Sequence, residues 1–300
     1  MTNSNKSAKG WFTVALFVAA LAAPRSAPAA AYLFPSLGSV ASYAVFGMTG
    51  GTLTETPAAV ATIIGNEGIS SGTFTANSNA TVKGSIYEAA GVTQTGSPTM
   101  VGGGSIIYLS QNLTSVNTDI QTVLASIAAI PSASATQTIT TQISGAQNIT
   151  GNGSGIAAAN VIDFTNTNLG TLANANITLN GGSNDYFVVR IYAAGLTLTG
   201  TGSLALGTGV LASHVIFDFL GAAGNTIAAG GGVMNGYIYA QNQNLTLTGT
   251  TVNGDLISGK TITLNSGTTV NQITPEPSTL FLIGGALIAI GAGSKRLRKG

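Results

Sequence analysis

The chain has 300 residues, of which only 6% are charged and 6% are aromatic, and it contains 41 glycines and no cysteine. This charge content is far below the quarter that is usual in soluble proteins, and it excludes the basic surface that a nucleic-acid-binding protein needs. The lack of cysteine also excludes a disulfide framework and a thiolate zinc site.

The few charges are unevenly distributed along the chain. Residues 32–274 carry three basic and eight acidic side chains, so this part has a net charge of −5 although the whole chain is formally +1. Seven of the ten basic residues lie in the first 25 or the last six positions. This distribution predicts sorting or processing signals at both termini of a mildly acidic body.

The amino-terminal segment has the features of a secretory signal. Two lysines precede an apolar run over residues 11–23, and a tract of small residues follows, with the cleavage pattern at Ala29 and Ala31. Thirteen apolar residues are few for a membrane anchor, which is the alternative interpretation. We therefore predict that residues 1–31 are a signal peptide with a helical apolar segment, cut near Ala31, and that the protein is exported.

The body, residues 32–274, is predicted to be mainly β. Apolar and small polar residues alternate at 196–199, 245–248 and 261–264, which is the period of a strand. A motif containing Asn recurs every 18 residues, at 234–238, at 252–256 and in part at 270–271, with a weaker echo at 82–87. Equal spacing favours a β-solenoid, in which each repeat is one coil, over a β-sandwich.

One segment of the body departs from the strand pattern. Between Ser110 and Ile130 there is no glycine or proline. Apolar residues occur there at steps of three and four, at Leu113, Val116, Ile120, Val123, Leu124 and Ile127. This spacing predicts an amphipathic helix over about 110–130, with Ser110 as its N-cap and Pro131 as its limit. Its apolar face must lie along the side of the solenoid or cap one end.

Four segments give the body a resemblance to a known family. They are Leu37–Phe46 (LGSVASYAVF), Gly65–Gly72 (GNEGISSG), Val215–Phe219 (VIFDF) and Thr261–Gly267 (TITLNSG). In this order they resemble the ice-binding-like adhesin family, over roughly Leu37 to Ile273. The resemblance implies a discontinuous right-handed β-solenoid with one long helix packed beside it.

Candidate catalytic residues are few. His214 is the only histidine, which excludes two-histidine metal motifs, and Asp218 lies too close to it along the same predicted strand for a triad. Asp163 and Asp218 have matching contexts, and strand alternation places both on the outside. We interpret them as solvated side chains rather than as the paired carboxylates of a glycoside hydrolase. No enzymatic activity, cofactor or metal is predicted.

Two outward threonine pairs form a candidate binding face. Thr246 with Thr248 and Thr261 with Thr263 each span about 7 Å of one strand face, and stacked coils repeat them every ~4.8 Å. The resembling ice-binding proteins offer such an array of methyl and hydroxyl groups to ice. The plainer alternative is that threonine is simply a good exposed strand residue. The array is short, and its pairs lie 15 residues apart, out of step with the 18-residue period, which favours the plainer alternative.

The carboxyl-terminal tail has three parts in order. They are Pro275-Glu276-Pro277, an apolar run from Leu280 to Ala292, and a basic cluster of Lys295, Arg296, Arg298 and Lys299. The prolines end any β-structure, and the apolar run with its flanks predicts a transmembrane helix over about 279–293. The basic cluster is expected to stay on the cytoplasmic side.

This tail resembles the PEP-CTERM sorting signal of bacterial exported proteins, over residues 275–300. The resemblance implies that an exosortase, a membrane protease-transferase, recognises and processes the tail; a plain membrane anchor is the alternative. We therefore predict a protein anchored in the inner membrane facing the periplasm and then passed to the cell surface or the extracellular matrix. Its predicted role is structural or adhesive within an exopolysaccharide matrix, with ice binding as the alternative.

Overall fold

The chain folds as a solenoid of short strands, which confirms the predicted fold class. The computed structural model describes residues 32–273, except 57–60, 108–112, 143–144, 154 and 168–169. The predicted signal peptide, with Ala29 and Ala31, lies outside the described residues. So do the Pro-Glu-Pro motif, the transmembrane segment and the basic cluster of the tail. Within the described part, no helix is both long and apolar enough to cross a membrane.

The strands occur in two runs separated by one helix. The first run contains β1 (Val45–Gly47), β2 (Thr52–Glu55), β3 (Thr62–Ile64), β4 (Glu67–Ile69), β5 (Thr73–Thr75), β6 (Thr81–Lys83), β7 (Ile86–Glu88), β8 (Thr93–Thr95), β9 (Thr99–Met100) and β10 (Ile106–Ile107). Helix α1 (Thr114–Ala128) follows.

The second run contains the remaining strands. They are β11 (Gln137–Ile139), β12 (Gln147–Thr150), β13 (Asn160–Phe164), β14 (Thr171–Ala173), β15 (Asn176–Asn180), β16 (Phe187–Ile191), β17 (Leu196–Thr199), β18 (Ser203–Leu206), β19 (Val215–Phe219), β20 (Thr226–Gly230), β21 (Val233–Asn235), β22 (Tyr237–Ala240), β23 (Asn244–Thr248), β24 (Thr251–Asn253), β25 (Leu256–Ser258), β26 (Thr261–Leu264) and β27 (Thr269–Asn271). Short 3-10 helices lie at Gly38–Ser42, Ser132–Ser134, Ile156–Ala158 and Ala212–His214.

These strands form three parallel sheets, one on each side of the solenoid. Sheet A has the order β10-β7-β4-β1-β25-β22-β19-β16-β13-β11. Sheet B has the order β14-β17-β20-β23-β26-β2-β5-β8, and sheet C has the order β12-β15-β18-β21-β24-β27-β3-β6-β9. The first coil, β1 to β3, therefore pairs with the last coil, β25 to β27. The solenoid is discontinuous in sequence, as the family resemblance implied.

Large apolar side chains fill the interior between the three sheets. Sheet A contributes a group of buried phenylalanines that includes Phe164, Phe187, Phe217 and Phe219. Strand alternation sends every second residue inward, so each coil adds one layer of such side chains to the layer of the coil beside it. Burial of this stacked column is the main stabilising contribution to the fold.

Helix α1 packs along the outer face of sheet A, one of the two positions predicted for it. All six residues of the predicted apolar stripe, from Leu113 to Ile127, are buried. They form one cluster with outward residues of sheet A such as Val188, Ile216 and Tyr237. The helix begins at Thr114, later than predicted, and its N-cap position is Leu113 rather than Ser110. Pro131 limits it as expected, because the helix ends at Ala128.

Two polar contacts hold the helix in place. Near its start, Oδ2 of Asp119 accepts hydrogen bonds from the backbone N–H of Ser39 (2.8 Å) and from the Ser39 hydroxyl (2.6 Å). At its end, Nη1 of Arg190 donates to the carbonyl oxygens of Ile130 (2.6 Å) and Ile127 (3.4 Å). A cation at a helix carboxyl terminus also interacts favourably with the helix dipole.

The 18-residue repeat corresponds to one coil, as predicted. Asn235, Asn253 and Asn271 lie beside one another on sheet C. Their side-chain amides are linked in series by hydrogen bonds of 3.0 Å, from Nδ2 of each to Oδ1 of the one before. The echo at Val82 belongs to the same sheet, since Val82 pairs with Ile63, which pairs with Val270. Coils earlier in the second run are longer, so the period holds only near the end.

Candidate functional site

The outer face of sheet B follows from strict alternation in its strands. Inward positions carry buried apolar residues such as Leu53, Phe74, Leu198 and Leu245. The residues between them point outward, and most of these are threonines. A β-branched side chain has restricted rotation about χ1. The outward hydroxyl and methyl groups are therefore held rigidly on a regular backbone.

One row of aligned positions runs across all eight strands of sheet B. From one end to the other, this central ladder contains Thr171, Thr197, Ala228, Thr246, Thr263, Thr54, Thr75 and Thr95. At ~4.8 Å per strand the ladder is about 34 Å long. Seven of its eight positions are threonine, so a single chemical group repeats along almost the whole sheet.

A second row lies two residues earlier on six of these strands. This side ladder contains Thr226, Asn244, Thr261, Thr52, Thr73 and Thr93. The backbone N–H of Thr261 donates to Oδ1 of Asn244 at 3.2 Å. The two ladders, about 7 Å apart, are called the threonine face below. No charged or aromatic side chain occupies any of its fourteen positions.

The structure places three of the four predicted threonines on this face. Thr246 lies directly beside Thr263, at a step of 17 residues, and Thr261 belongs to the side ladder. Thr248 lies at the edge of sheet B beside Gly230, and its hydroxyl accepts a hydrogen bond from Nδ2 of Asn265 at 3.0 Å. The step of 15 compared residues that are not aligned, so the argument from spacing against a regular array was wrong.

The prediction missed most of the threonine face. The first run of strands contributes the T-x-T segments 52–54, 73–75 and 93–95 to it. Their pattern was visible in the sequence, because each has threonines on both sides of a single residue. Their place beside Thr261 and Thr263 depends on the pairing of β2 with β26, which joins residues more than 200 positions apart. That pairing gives the array its length.

The other two outer faces differ from the threonine face. Helix α1 and residues packed with it cover the central strands of sheet A. Sheet C has a threonine row of Thr251, Thr269, Thr62, Thr81 and Thr99. Beside that row, however, the asparagine ladder continues into Ile64, which is 41% exposed, and Lys83. Sheet B alone therefore combines flatness, length and the absence of charge.

Comparison with known proteins identifies the family. The model of a family described as an ice-binding-like adhesive domain matches residues 37–271. The chain belongs to this family. A search of curated proteins finds no significant match.

Solved structures show the same fold for this ice-binding-like adhesive domain. An ice-binding protein from the Antarctic ascomycete Antarctomyces psychrotrophicus has a TM-score of 0.53 at 19% identity, covering 80% of this chain and 98% of its own. An ice-binding protein domain of Shewanella frigidimarina also has a TM-score of 0.53 at 19% identity, covering 81% and 98%. An ice-binding protein from an Arctic yeast has a TM-score of 0.54 at 16% identity, covering 82% and 96%.

The two aspartates predicted to be solvated are instead buried beneath helix α1. Asp163 is fully buried, and both its oxygens accept hydrogen bonds from Arg190, at 2.6 Å from Nε and 2.7 Å from Nη2. Arg190 is aligned with Asp163 on one side and with Asp218 on the other. Burial raises the pKa of Asp218 to about 7, an effect that Arg190 partly offsets. Strand alternation placed both side chains outside correctly, but it carried no signal that the helix covers that face.

Two glutamates face the interior of the domain, where the alternation pattern predicts apolar residues. Glu55 of β2 and Glu67 of β4 are buried within the first coils. Burial raises the pKa of Glu55 to about 7, and burial together with the nearby Glu55 carboxyl raises the pKa of Glu67 well above its usual value. A proton held by the pair lets one carboxyl donate a hydrogen bond to the other. These groups lie inside the solenoid, away from the threonine face.

His214 has a packing role in the domain. It is buried, and its ring stacks on Tyr186 with centroids 3.8 Å apart. Two shallow cavities in the described part of the chain, of about 270 and 300 Å³, are lined by no acidic, basic or histidine side chain. The matched family and structures are described as ice-binding or adhesive proteins rather than as enzymes.

Proposed function

We propose that this chain is an exported surface protein that adheres to ice through the threonine face. The observation that carries the proposal is the composition of the two ladders, which place threonine at twelve of fourteen aligned positions. Proteins described as ice-binding share the fold. The face itself is the feature of this chain that fits such a ligand.

The chemistry of the threonine face matches a crystalline water surface. Ice is neutral, flat and periodic, so a protein that binds it gains most from a rigid, flat and periodic array. The threonine hydroxyls repeat at ~4.8 Å across strands and about 7 Å along them. Their methyl groups exclude loosely held water, while the hydroxyls hydrogen-bond to ordered water. A face without aromatic rings lacks the stacking surfaces on which a sugar ring would lie.

A pair of variants in one coil tests the face. Thr54→Tyr places a bulky ring in the middle of the central ladder, whereas Thr62→Tyr places the same ring on the sheet C face of the same coil. Thr54 and Thr62 are both half-buried outward threonines. In residues 32–274, we expect Thr54→Tyr to lower ice-recrystallisation inhibition at least about tenfold, equivalent to roughly 1.4 kcal/mol of binding. Thr62→Tyr should leave it unchanged. Equal loss in both variants, or no activity in the parent, would contradict ice binding by this face.

A second candidate function is adhesion within an exopolysaccharide matrix. Sheet C favours it, because its linked amides of Asn235, Asn253 and Asn271 and the adjacent threonine row offer many hydrogen-bonding groups without strong charge. The family is described as adhesive as well as ice-binding-like. Retention of residues 32–274 on immobilised polysaccharide, reduced by Thr62→Tyr and not by Thr54→Tyr, would favour this function over ice binding.

Delivery to the surface is proposed to use both terminal segments. The signal peptide exports the chain, the tail holds it in the inner membrane facing the periplasm, and an exosortase processes the tail at the Pro-Glu-Pro motif. Deletion of residues 275–300 should leave the protein soluble in the periplasm or the medium. Unchanged membrane association after that deletion would refute the role of the tail.

A further inference from the structure

The carboxyl end of the described chain lies at one vertex of the solenoid. Gln272 directly follows β27, and its backbone N–H donates to the carbonyl oxygen of Ile64 at 2.8 Å. Its Nε2 donates to the carbonyl oxygen of Ala41 at 2.8 Å, and its Oε1 accepts from the backbone N–H of Asn66 at 3.3 Å. Asn66 lies between β3 of sheet C and β4 of sheet A. Gln272 is therefore fastened to the vertex where sheets C and A meet.

The neighbouring residue and the start of the body lie on the same side. Ile273 packs against the cluster that contains helix α1, and its backbone N–H bonds to Asp255, which lies between β24 of sheet C and β25 of sheet A. At the other end of the body, the carbonyl oxygen of Tyr32 accepts a hydrogen bond from Ala159 at 2.8 Å. Ala159 lies between β12 of sheet C and β13 of sheet A. Both ends thus lie on the A–C vertex.

In a solenoid with three sides, the vertex between two sheets lies opposite the third sheet. The third sheet here is sheet B, which carries the threonine face. The chain therefore enters and leaves the body on the side that faces away from the proposed contact surface. No end of the described chain crosses that surface.

The exit point is also near the middle of the stack rather than at an end. Strand β27 is sixth of nine in sheet C, and the ten strands of sheet A span about 43 Å. Six residues separate Ile273 from the apolar run at Leu280, and six residues reach at most about 20 Å when fully extended. An upright solenoid would need almost all of that reach, whereas a solenoid lying on its A–C vertex needs none.

From this geometry we infer that the tethered protein lies on its A–C vertex, with the solenoid axis along the membrane and the threonine face directed outward. The inference rests on the proposed function of the face and of the tail. It adds the orientation in which the surface is presented to its ligand. A short tether then suits a binding protein, because it keeps the inactive side, and not the active face, against the membrane.

Because the chain contains no cysteine, single-cysteine variants allow the orientation to be measured. We would label Ser42→Cys, an exposed vertex position, and Thr75→Cys, on the central ladder, with one fluorophore. Each full chain is placed in vesicles of neutral lipid that contain a quencher on the headgroup. Since packed sheets stand about 10 Å apart, quenching at Ser42→Cys should be roughly twofold or more that at Thr75→Cys. Asn66→Cys and Thr197→Cys repeat the comparison should either first variant misfold.

The possible outcomes separate the orientation from the proposed function. Equal quenching at the two positions, or stronger quenching at Thr75→Cys, would overturn the inferred orientation. Failure of the full chain to float with the vesicles would overturn it too, since the attachment itself would be missing. Adsorption of the unlabelled full chain to ice is measured separately in detergent. Loss of that adsorption would refute ice binding while the quenching ratio still decides the orientation.

Discussion

Replacing Arg190 with methionine is expected to release the end of helix α1 from sheet A. The guanidinium group is 2% exposed and bonds both oxygens of Asp163, while Nη1 also binds the carbonyl oxygens of Ile127 and Ile130. Methionine has a similar length and fills much of the same space. The substitution therefore removes the polar contacts with little change in packing.

The expected magnitude follows from the groups left behind. Asp163 would remain fully buried as an unpaired carboxylate, and breaking a buried ion pair in this way costs about 3–5 kcal/mol. The two helix carbonyl groups would lose their shared donor, at about 1 kcal/mol or more for a buried acceptor. We therefore expect Arg190→Met to lower the free energy of unfolding by about 5 kcal/mol. Many domains have a total stability of this size.

Urea unfolding followed by circular dichroism measures the loss of stability, and hydrogen exchange at residues 114–128 shows whether the helix loosens. Lys260→Met is the matched control, since Lys260 is an exposed base and its loss should change stability by less than about 0.5 kcal/mol. The double variant Arg190→Met/Asp163→Leu should recover about 3 kcal/mol, because it no longer buries an unpaired charge.

Two results would refute this reasoning about Arg190. A loss below about 1 kcal/mol would show that the pair and the helix contacts contribute little net stability. A double variant no more stable than Arg190→Met would show that the cost does not come from the abandoned charge of Asp163.

Two further predictions concern the interior and the vertex. Because burial raises the folded-state pKa of Glu55 to about 7 and that of Glu67 still further above its usual value, their stability contribution is full below about pH 4.5 and is lost as pH rises through 7 and above. Urea unfolding from pH 5 to 9 should show a loss of about 3 kcal/mol or more, and Glu67→Gln should flatten this dependence; an unchanged slope would contradict the assignment. At the A–C vertex, a Cβ on Gly254 would overlap the carbonyl oxygen of Gly236, so Gly254→Ala should lower the thermal midpoint sharply. Gly145→Ala, which meets no atom within 4 Å, should not, and similar midpoints in the two variants would argue against close stacking.

The features of the fold that depend on local pattern could be predicted from the sequence. The spacing of Leu113, Val116 and Ile120 gave the buried face of helix α1, because a helix repeats every 3.6 residues whatever it packs against. The recurrence of Asn235 and Asn253 gave the coil length, because equivalent residues must stack in a solenoid. These arguments need no knowledge of distant partners.

The features that depend on distant contacts could not be predicted in the same way. Nothing local to Thr54 shows that it lies beside Thr263, so the length of the threonine face was underestimated. Nothing local to Asp218 shows that a helix covers it, so it was interpreted as solvated. The orientation of Glu67 toward the interior also contradicts its polarity. Its partner Glu55 belongs to a different strand, and only the folded coil brings the two carboxyl groups together.

The pairing of β2 with β26 has a consequence for how the protein becomes active during synthesis and export. The first three coils are made early, yet their neighbours in the threonine face are the last to leave the ribosome or the export channel. Contacts between residues so far apart form slowly, because a long loop must close before they stabilise the chain. Until that seam closes, the face consists of two separate patches. A chain stalled or cut before residue 264 would thus carry no complete face, and recognition begins only with the finished protein.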